Sequence, residues 1–227
     1  MSELFQPSVA PVVISLCDRT GNFVRPWAEA GFECWCVDTQ HSIRRDRLER
    51  AGAGLIHFVW GDARSWCLPV EARGRVAFFA AFPPCTHLTC TGARDFIKKG
   101  GWALMDGLQV FDSCLVAATF SGAPFMVENP ATSRLNTHRR QPDYKFHPWH
   151  YAGYLPDIET DNTKKLTGLW TGNGFVMPEP MPAPGQHRED CWNASPSDDR
   201  ADLRSVTPIG FTNAVFQANA RFAASPK

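Results

Sequence analysis

The chain has 227 residues, 44% of them hydrophobic and 20% charged, with 23 basic against 23 acidic side chains. That apolar content and zero formal charge exclude a mainly disordered chain, and the length suits one compact domain with a proper core. Neutrality also argues against non-specific coating of nucleic acid, which is largely the work of Lys and Arg.

No run approaches the roughly twenty uninterrupted apolar residues of a membrane span. The start of the sequence lacks a basic segment followed by an apolar one, so a cytoplasmic protein is expected. The eight cysteines are scattered without a C-x-x-C pair or a zinc-ligand spacing, and reduced, mostly structural thiols follow.

In chain order, residues 11–17 read as a buried strand stopped by Asp18-Arg19-Thr20-Gly21-Asn22. A short helix over about 23–30 ends at Gly31, and a second strand over 32–37 ends at Asp38. Cys34 and Cys36 alternate there as small hydrophobes of one strand face. The Arg-rich run 42–50 predicts an amphipathic helix capped by Ser42. A third strand over 55–60 ends on Gly61-Asp62, and a fourth over 76–81 runs into Pro83-Pro84-Cys85. A helix over about 102–120 leads to a fifth strand, 124–127, which ends at Glu128-Asn129-Pro130.

Beyond Asn129, prolines, aromatics and histidines dominate until a helical stretch over 208–223, and 178–196 reads as a Pro-rich surface loop. The expectation is a single domain in which 131–204 is a loop-rich insertion serving as a minimal substrate-recognition region. Nearly all-apolar strands alternating with helices predict an α/β fold: a Rossmann-like, doubly wound, mainly parallel sheet.

Ligands of such sheets bind at the carboxyl ends of the strands. Those ends carry Asp18, Asp38, Asp62, Cys85 and Glu128. A carboxylate ending the second strand is placed to accept from ribose hydroxyls, the role expected of Asp38, and Asp62 would sit near a base. An acid at a strand end equally well caps the following helix. The first turn has one glycine rather than G-x-G-x-x-G, which disfavours a dinucleotide and suits an adenosyl cofactor without phosphates.

Cys85 stands behind two prolines that stiffen the backbone, as a nucleophile requires. Glu128, on the next strand, can share the pocket as a proton donor. The bland alternatives are a turn with a buried thiol and a carboxylate cap. Interleaved basic and aromatic residues over 134–150, among them Arg139 and Arg140, can clamp phosphates and stack on bases, or form an ordinary solvated loop.

Pro84-Cys85 followed by Thr89-Cys90-Thr91-Gly92, together with Glu128-Asn129-Pro130, resembles the cytosine-5 DNA methyltransferases, most of all their short phage and prophage members. The likeness covers residues 11–130 and, more weakly, 207–219. It implies the S-adenosylmethionine-dependent methyltransferase fold, with S-adenosyl-L-methionine held by Cys17, Asp18, Thr20, Gly21, Asn22, Phe23, Asp38, Thr39, Asp62, Ala63 and Pro84. It implies Cys85 as covalent nucleophile on cytosine carbon 6 and Glu128 acting at ring N3. Thr89, Thr91, Arg94, Asn129, Arg139 and Arg140 would face the DNA, whose target base must leave the helix or be single-stranded.

The departures are specific. The family's Phe-x-Gly-x-Gly-Gly loop is replaced by Cys17–Asn22, and its Gln-x-Arg-x-Arg motif has no clear counterpart, leaving Arg94, Lys164 and Lys165 as candidates. Fewer than a hundred residues follow Pro130, so a short target context or a partner subunit for recognition is expected. Other readings keep the covalent chemistry on RNA, a free nucleotide or another transferred group, or reduce the chain to a degenerate nucleic-acid-binding module. An amino-group methyltransferase is set aside, because Phe82 and Cys85 occupy the places its Asp/Asn-Pro-Pro-aromatic turn would need.

Overall fold

Five consecutive residues, Val-Val-Ile-Ser-Leu, are all buried in β1 (Val12–Leu16), as a strand covered on both faces demands. The computed structural model describes residues 10–89, 93–189 and 207–220, with backbone alone for 93–99. β1 is flanked by β2 (Glu33–Asp38) on one side and β5 (Val76–Ala81) on the other, both parallel to it. Between β2 and β5 in sequence come β3 (Arg47–Ala51) and β4 (Gly54–Trp60). After β5 come β6 (Phe125–Pro130), β7 (Tyr144–Phe146) and β8 (Thr167–Gly172). Together they form one mixed, mostly parallel eight-stranded sheet, ordered β3-β4-β2-β1-β5-β6-β8-β7. Only β3 and β8 run against the rest. The protein is thus α/β.

Two apolar layers cover the sheet. On one face Phe23 and Trp27, the latter on α1 (Arg25–Glu29), stack with Phe78, and Phe211 of α4 (Ile209–Asn219) stacks on Phe146. On the other face α2 (Ala93–Phe120) buries Leu108, Phe111, Cys114 and Ala118 against Phe79, Val127 and Trp170. Gly100, at φ 72°, breaks α2, so the regular helix follows it much as the periodicity predicts. From Gly100 to Phe120 it is long and apolar enough by composition to cross a membrane, yet its inner face packs on the sheet. The remaining short helix, α3 (Leu135–His138), follows β6.

Three expectations are corrected. The Arg-rich run is not a helix: residues 47–51 form β3, a hairpin with β4, and Ser42 accepts only from Arg44 N–H in a local turn. Gly52 and Gly54 make that hairpin possible, since a Cβ on either would lie within 2.5 Å of backbone oxygens of Glu29, Ala28 or Phe32. Arg47 lies over the Phe58 ring at 3.4 Å and pairs with Glu49, which also binds Arg25. Leu48 and Ile43 are exposed, so a helix here would have had no apolar stripe to bury.

Second, β6 continues through Pro130, because Glu128 pairs with Leu169 and Pro130 with Thr167 of β8. Glu128 therefore stands inside the strand. Third, the described part of 131–204 contains loops and three 3-10 turns, but it also supplies β7 and β8 to the central sheet. It is built into the core. The closing helix is α4, within the expected 208–223.

Candidate active site

The strand order reverses direction at β1, with β2 and β4 on one side and β5 and β6 on the other. A crevice outside the carboxyl ends of β1 and β5 is the ligand position such a topology creates. The loop after β1 forms one wall. Cys17 takes a left-handed conformation, φ 55°, and donates its N–H to Val37 O at 2.7 Å. Asp18 is turned inward: Oδ1 accepts from Gly21 N at 2.7 Å and Thr20 N at 3.1 Å, and Oδ2 accepts from Ser15 Oγ at 2.8 Å. Burial raises the pKa of Asp18, and these hydrogen bonds oppose the shift.

N–H groups that a phosphate-binding loop would offer to its ligand are here given to Asp18. This loop cannot cradle a pyrophosphate without dismantling itself. Gly21, at φ 71°, is required because a Cβ would sit 2.8 Å from the Phe58 ring. Thr20 is exposed and Asn22 half-buried beside it. Phe23 is a correction: it is fully buried between Phe78 and Phe82 and has no surface to offer a cofactor.

At the end of β2, Asp38 is 8% exposed and its Oδ1 accepts from Gln40 N at 2.8 Å, with Thr39 exposed beside it. Asp62, after β4, is gripped by Arg64 through both carboxylate oxygens, with Nη2 at 2.6 Å, and Arg64 bridges on to Asp106 of α2. The Arg64 hydrogen bonds hold the Asp62 pKa below its ordinary value. A base approaching Asp62 must compete with that arginine. Ala63 lines a hollow between this loop and α2.

The loop after β5 forms the other wall. Pro83 is buried, Pro84 exposed and Cys85 half-buried. Leu88 N–H and Thr89 N–H both donate to Cys85 O, at 2.9 and 3.0 Å, closing a tight turn behind the thiol. Asn129 Nδ2 donates to Pro83 O at 2.9 Å in a buried bond, and Arg134 N–H donates to Leu88 O at 2.7 Å. The turn carrying Cys85 is thus fastened at one end to β6 and at the other to the segment that follows it. Asn129, expected at the substrate, ties the Cys85 loop in place.

Glu128 stands on the neighbouring parallel strand, one residue beyond the Ala81–Val127 pair of β5 and β6. Its Oε1 is buried with no hydrogen-bond partner among the described residues. Burial raises its pKa, and the charge of Lys165 works the other way. Lys165 lies two residues before β8, whose Leu169 is the partner of Glu128. Lys165 also acts on Asp161, whose Oδ2 accepts from Gly210 N at 2.6 Å at the start of α4. Sequence reasoning had no signal for which lysine faces Glu128, since that depends on β8. Lys164 instead pairs with Glu189 at 2.9 Å.

The two arginines expected at DNA phosphates are committed elsewhere. Arg139 makes a bidentate bond to Asp112 of α2, and Arg140 pairs with Asp143 at 2.6 Å. Trp149 is stacked on His187, 4.0 Å between centroids, whereas Tyr144 and Lys145 are exposed. Thr89 is half-buried and bridges to Ser133. Thr91 and Cys90 lie outside the described residues, and of Arg94 only its place at the start of α2 is described. No family model and no curated protein matches this sequence.

Proposed function

We propose that this chain is an S-adenosylmethionine-dependent methyltransferase of the methyltransferase fold, acting on carbon 5 of cytosine in DNA through a covalent cysteine adduct. One observation carries the reading. A cysteine on a doubly fastened Pro-Pro turn follows β5, and a buried carboxyl with an unmatched oxygen stands on the adjacent parallel strand β6, one residue beyond its last pair with β5. A buried thiol in a turn needs no such carboxyl beside it, and a helix-capping carboxylate would have its oxygens matched.

In this reading Cys85, as thiolate, forms a bond to carbon 6 while the ring's 5,6 electron pair shifts to carbon 5. Glu128, whose pKa is raised by burial, would in its protonated form donate to ring N3 and stabilise the charge that develops there. Lys165 suits the base carbonyl, the task for which no Gln-x-Arg-x-Arg arginine is available. Bound S-adenosylmethionine supplies the electrophilic methyl group that carbon 5 attacks. Loss of the carbon 5 proton then re-forms the double bond and expels Cys85.

The cofactor fits by its chemistry. Asp38 engages Gln40 N–H through Oδ1, so its second oxygen would accept from ribose hydroxyls, and a loop whose N–H groups already serve Asp18 suits a cationic, phosphate-free ligand. DNA containing 5-fluorocytosine tests the reading, because fluorine cannot leave as a proton does. With the cofactor present, a denaturation-resistant adduct is expected for the natural protein and none for Cys85→Ala. An adduct that persists in that variant overturns the assignment.

A second reading rests on the ion pairs of Arg139 and Arg140, which commit the two arginines expected at a phosphate backbone. It keeps the chemistry but makes the substrate RNA, a single strand or a free cytidine nucleotide. Nucleoside mass spectrometry on DNA, RNA and nucleotide pools from expressing cells separates the two.

A further inference from the structure

Successive helix residues turn by about 100°, so Trp102, Met105, Gln109, Asp112, Val116 and Phe120 of α2 share an arc of about 80°. That arc lies opposite Phe111, Cys114 and Ala118, which pack on the sheet. It faces outward, yet Trp102 is 80% exposed, Met105 59%, Val116 54% and Phe120 86%. A solvent-facing helix surface is ordinarily polar, and an exposed apolar stripe marks an interaction site. The order along the stripe is apolar, apolar, polar, polar, apolar, apolar. It reads the same from either end.

We infer that α2 is a self-association surface, on which two copies of this chain pair through antiparallel α2 helices about a two-fold axis near residues 110–111. In that register Trp102 lies on Phe120 of the partner subunit and Met105 on the partner's Val116. The Gln109 amide donates to the partner's Asp112, and the same three contacts recur across the axis, as an isologous interface requires. Arg139 neutralises each Asp112, so the centre does not juxtapose uncompensated charges.

The polar centre decides the occupant. A bilayer would leave the Gln109 amide unmatched and draw the Arg139–Asp112 ion pair into hydrocarbon, at a cost of several kcal/mol. A second copy lets each Gln109 amide donate to the partner's Asp112. Two nearly bare aromatic side chains contribute on the order of 300–500 Å² per copy, against about 800 Å² per partner in a standard interface. Hollows beside the stripe, one lined by Ala63 and Trp66 and the other by Leu108 and Arg139, extend the footprint.

Sedimentation velocity of the full chain across a concentration series tests this. The mass should rise from one chain to two, and Trp102→Glu/Phe120→Glu should weaken the dimer at least about a hundredfold. Both side chains are exposed, so the double variant should keep its circular dichroism and melting profile. Gln109→Lys, which sets an ammonium against the partner's Asp112, should tighten the dimer about fivefold, and Gln109→Glu should loosen it by a similar factor. Those two single variants read the register even if the double variant fails to fold. A single-chain mass at every concentration overturns the proposal. So does a dimer indifferent to these substitutions, or a monomer that floats with phosphatidylcholine–phosphatidylglycerol vesicles.

Discussion

Asp18 and Glu128 are both acids at the carboxyl edge of the sheet, and burial raises the pKa of each. Their surroundings differ. Asp18 accepts from Ser15, Thr20 and Gly21, so its hydrogen-bonding capacity goes into the shape of its own loop. Glu128 leaves Oε1 buried and unmatched, with a lysine charge nearby. A buried polar atom without a partner is unfavourable, and native structures keep few of them. The contrast is between an acid whose oxygens are spent on its own loop and one that keeps an oxygen unmatched, as the proposed role requires.

The sharpest break of that comparison is at the chemical step. Glu128→Gln keeps the shape of the side chain and removes its acidity. Single-turnover methyl transfer should fall about 100- to 10,000-fold, with urea unfolding little changed. A loss under about tenfold would return Glu128 to the same class as Asp18. The converse substitution, Asp18→Ala, strands the buried Ser15 hydroxyl and the Gly21 N–H. Chemical denaturation should report a loss of about 2–4 kcal/mol.

Asn129→Ala tests the link between the two strand ends, since it removes the amide that holds Pro83 O. About 1–2 kcal/mol of stability should go. Transfer should slow by about tenfold through a loosened Cys85 turn, while cofactor affinity measured by calorimetry stays constant.

The pH dependence separates the acids from the histidines. Asp18 and Glu128 bind protons more tightly folded than unfolded. Their contribution to stability is therefore lost as pH rises from the ordinary carboxyl range through their raised values. Activity that depends on protonated Glu128 should decline over the same upper part of the range. His147 and His150 behave oppositely: burial, then Lys164 and His187 for the one and His147 and His187 for the other, lower their pKa. Their contribution is held above the ordinary imidazole value and lost as pH falls through it. Urea midpoints across a pH series should fall on both flanks, and Glu128→Gln should flatten only the rising-pH flank. The smallest effect is expected of Arg139→Ala/Arg140→Ala, whose exposed ion pairs contribute about 0–1 kcal/mol each. Weakened DNA binding there without any loss of stability would show that substrate displaces Asp112 and Asp143.

Much of the fold was legible because it is local. β1, β2, β4 and β5 are apolar runs ended by turn residues, and their positions follow from composition and punctuation alone. Residues 47–51 were not legible, since an Arg-rich run becomes a strand only where β4 offers an open edge and Gly52 a tight turn. Tyr144-Lys145-Phe146 and 167–172 likewise show no clear strand signal until β6 is there to pair with β8.

The sequence by itself determined that acids and a cysteine lie toward the carboxyl side of the parallel strands, because strand and loop chemistry are written in neighbouring residues. Only the tertiary structure decided which of those groups retain capacity for a ligand. Asp18 and Asp62 lose theirs to Thr20, Gly21 and Arg64, all within three residues, whereas Arg139 is claimed by Asp112 from α2 and Glu128 feels the charge of Lys165, which precedes β8. Burial and hydrogen-bond matching are properties of three-dimensional neighbours, and most of those neighbours lie far away along the chain.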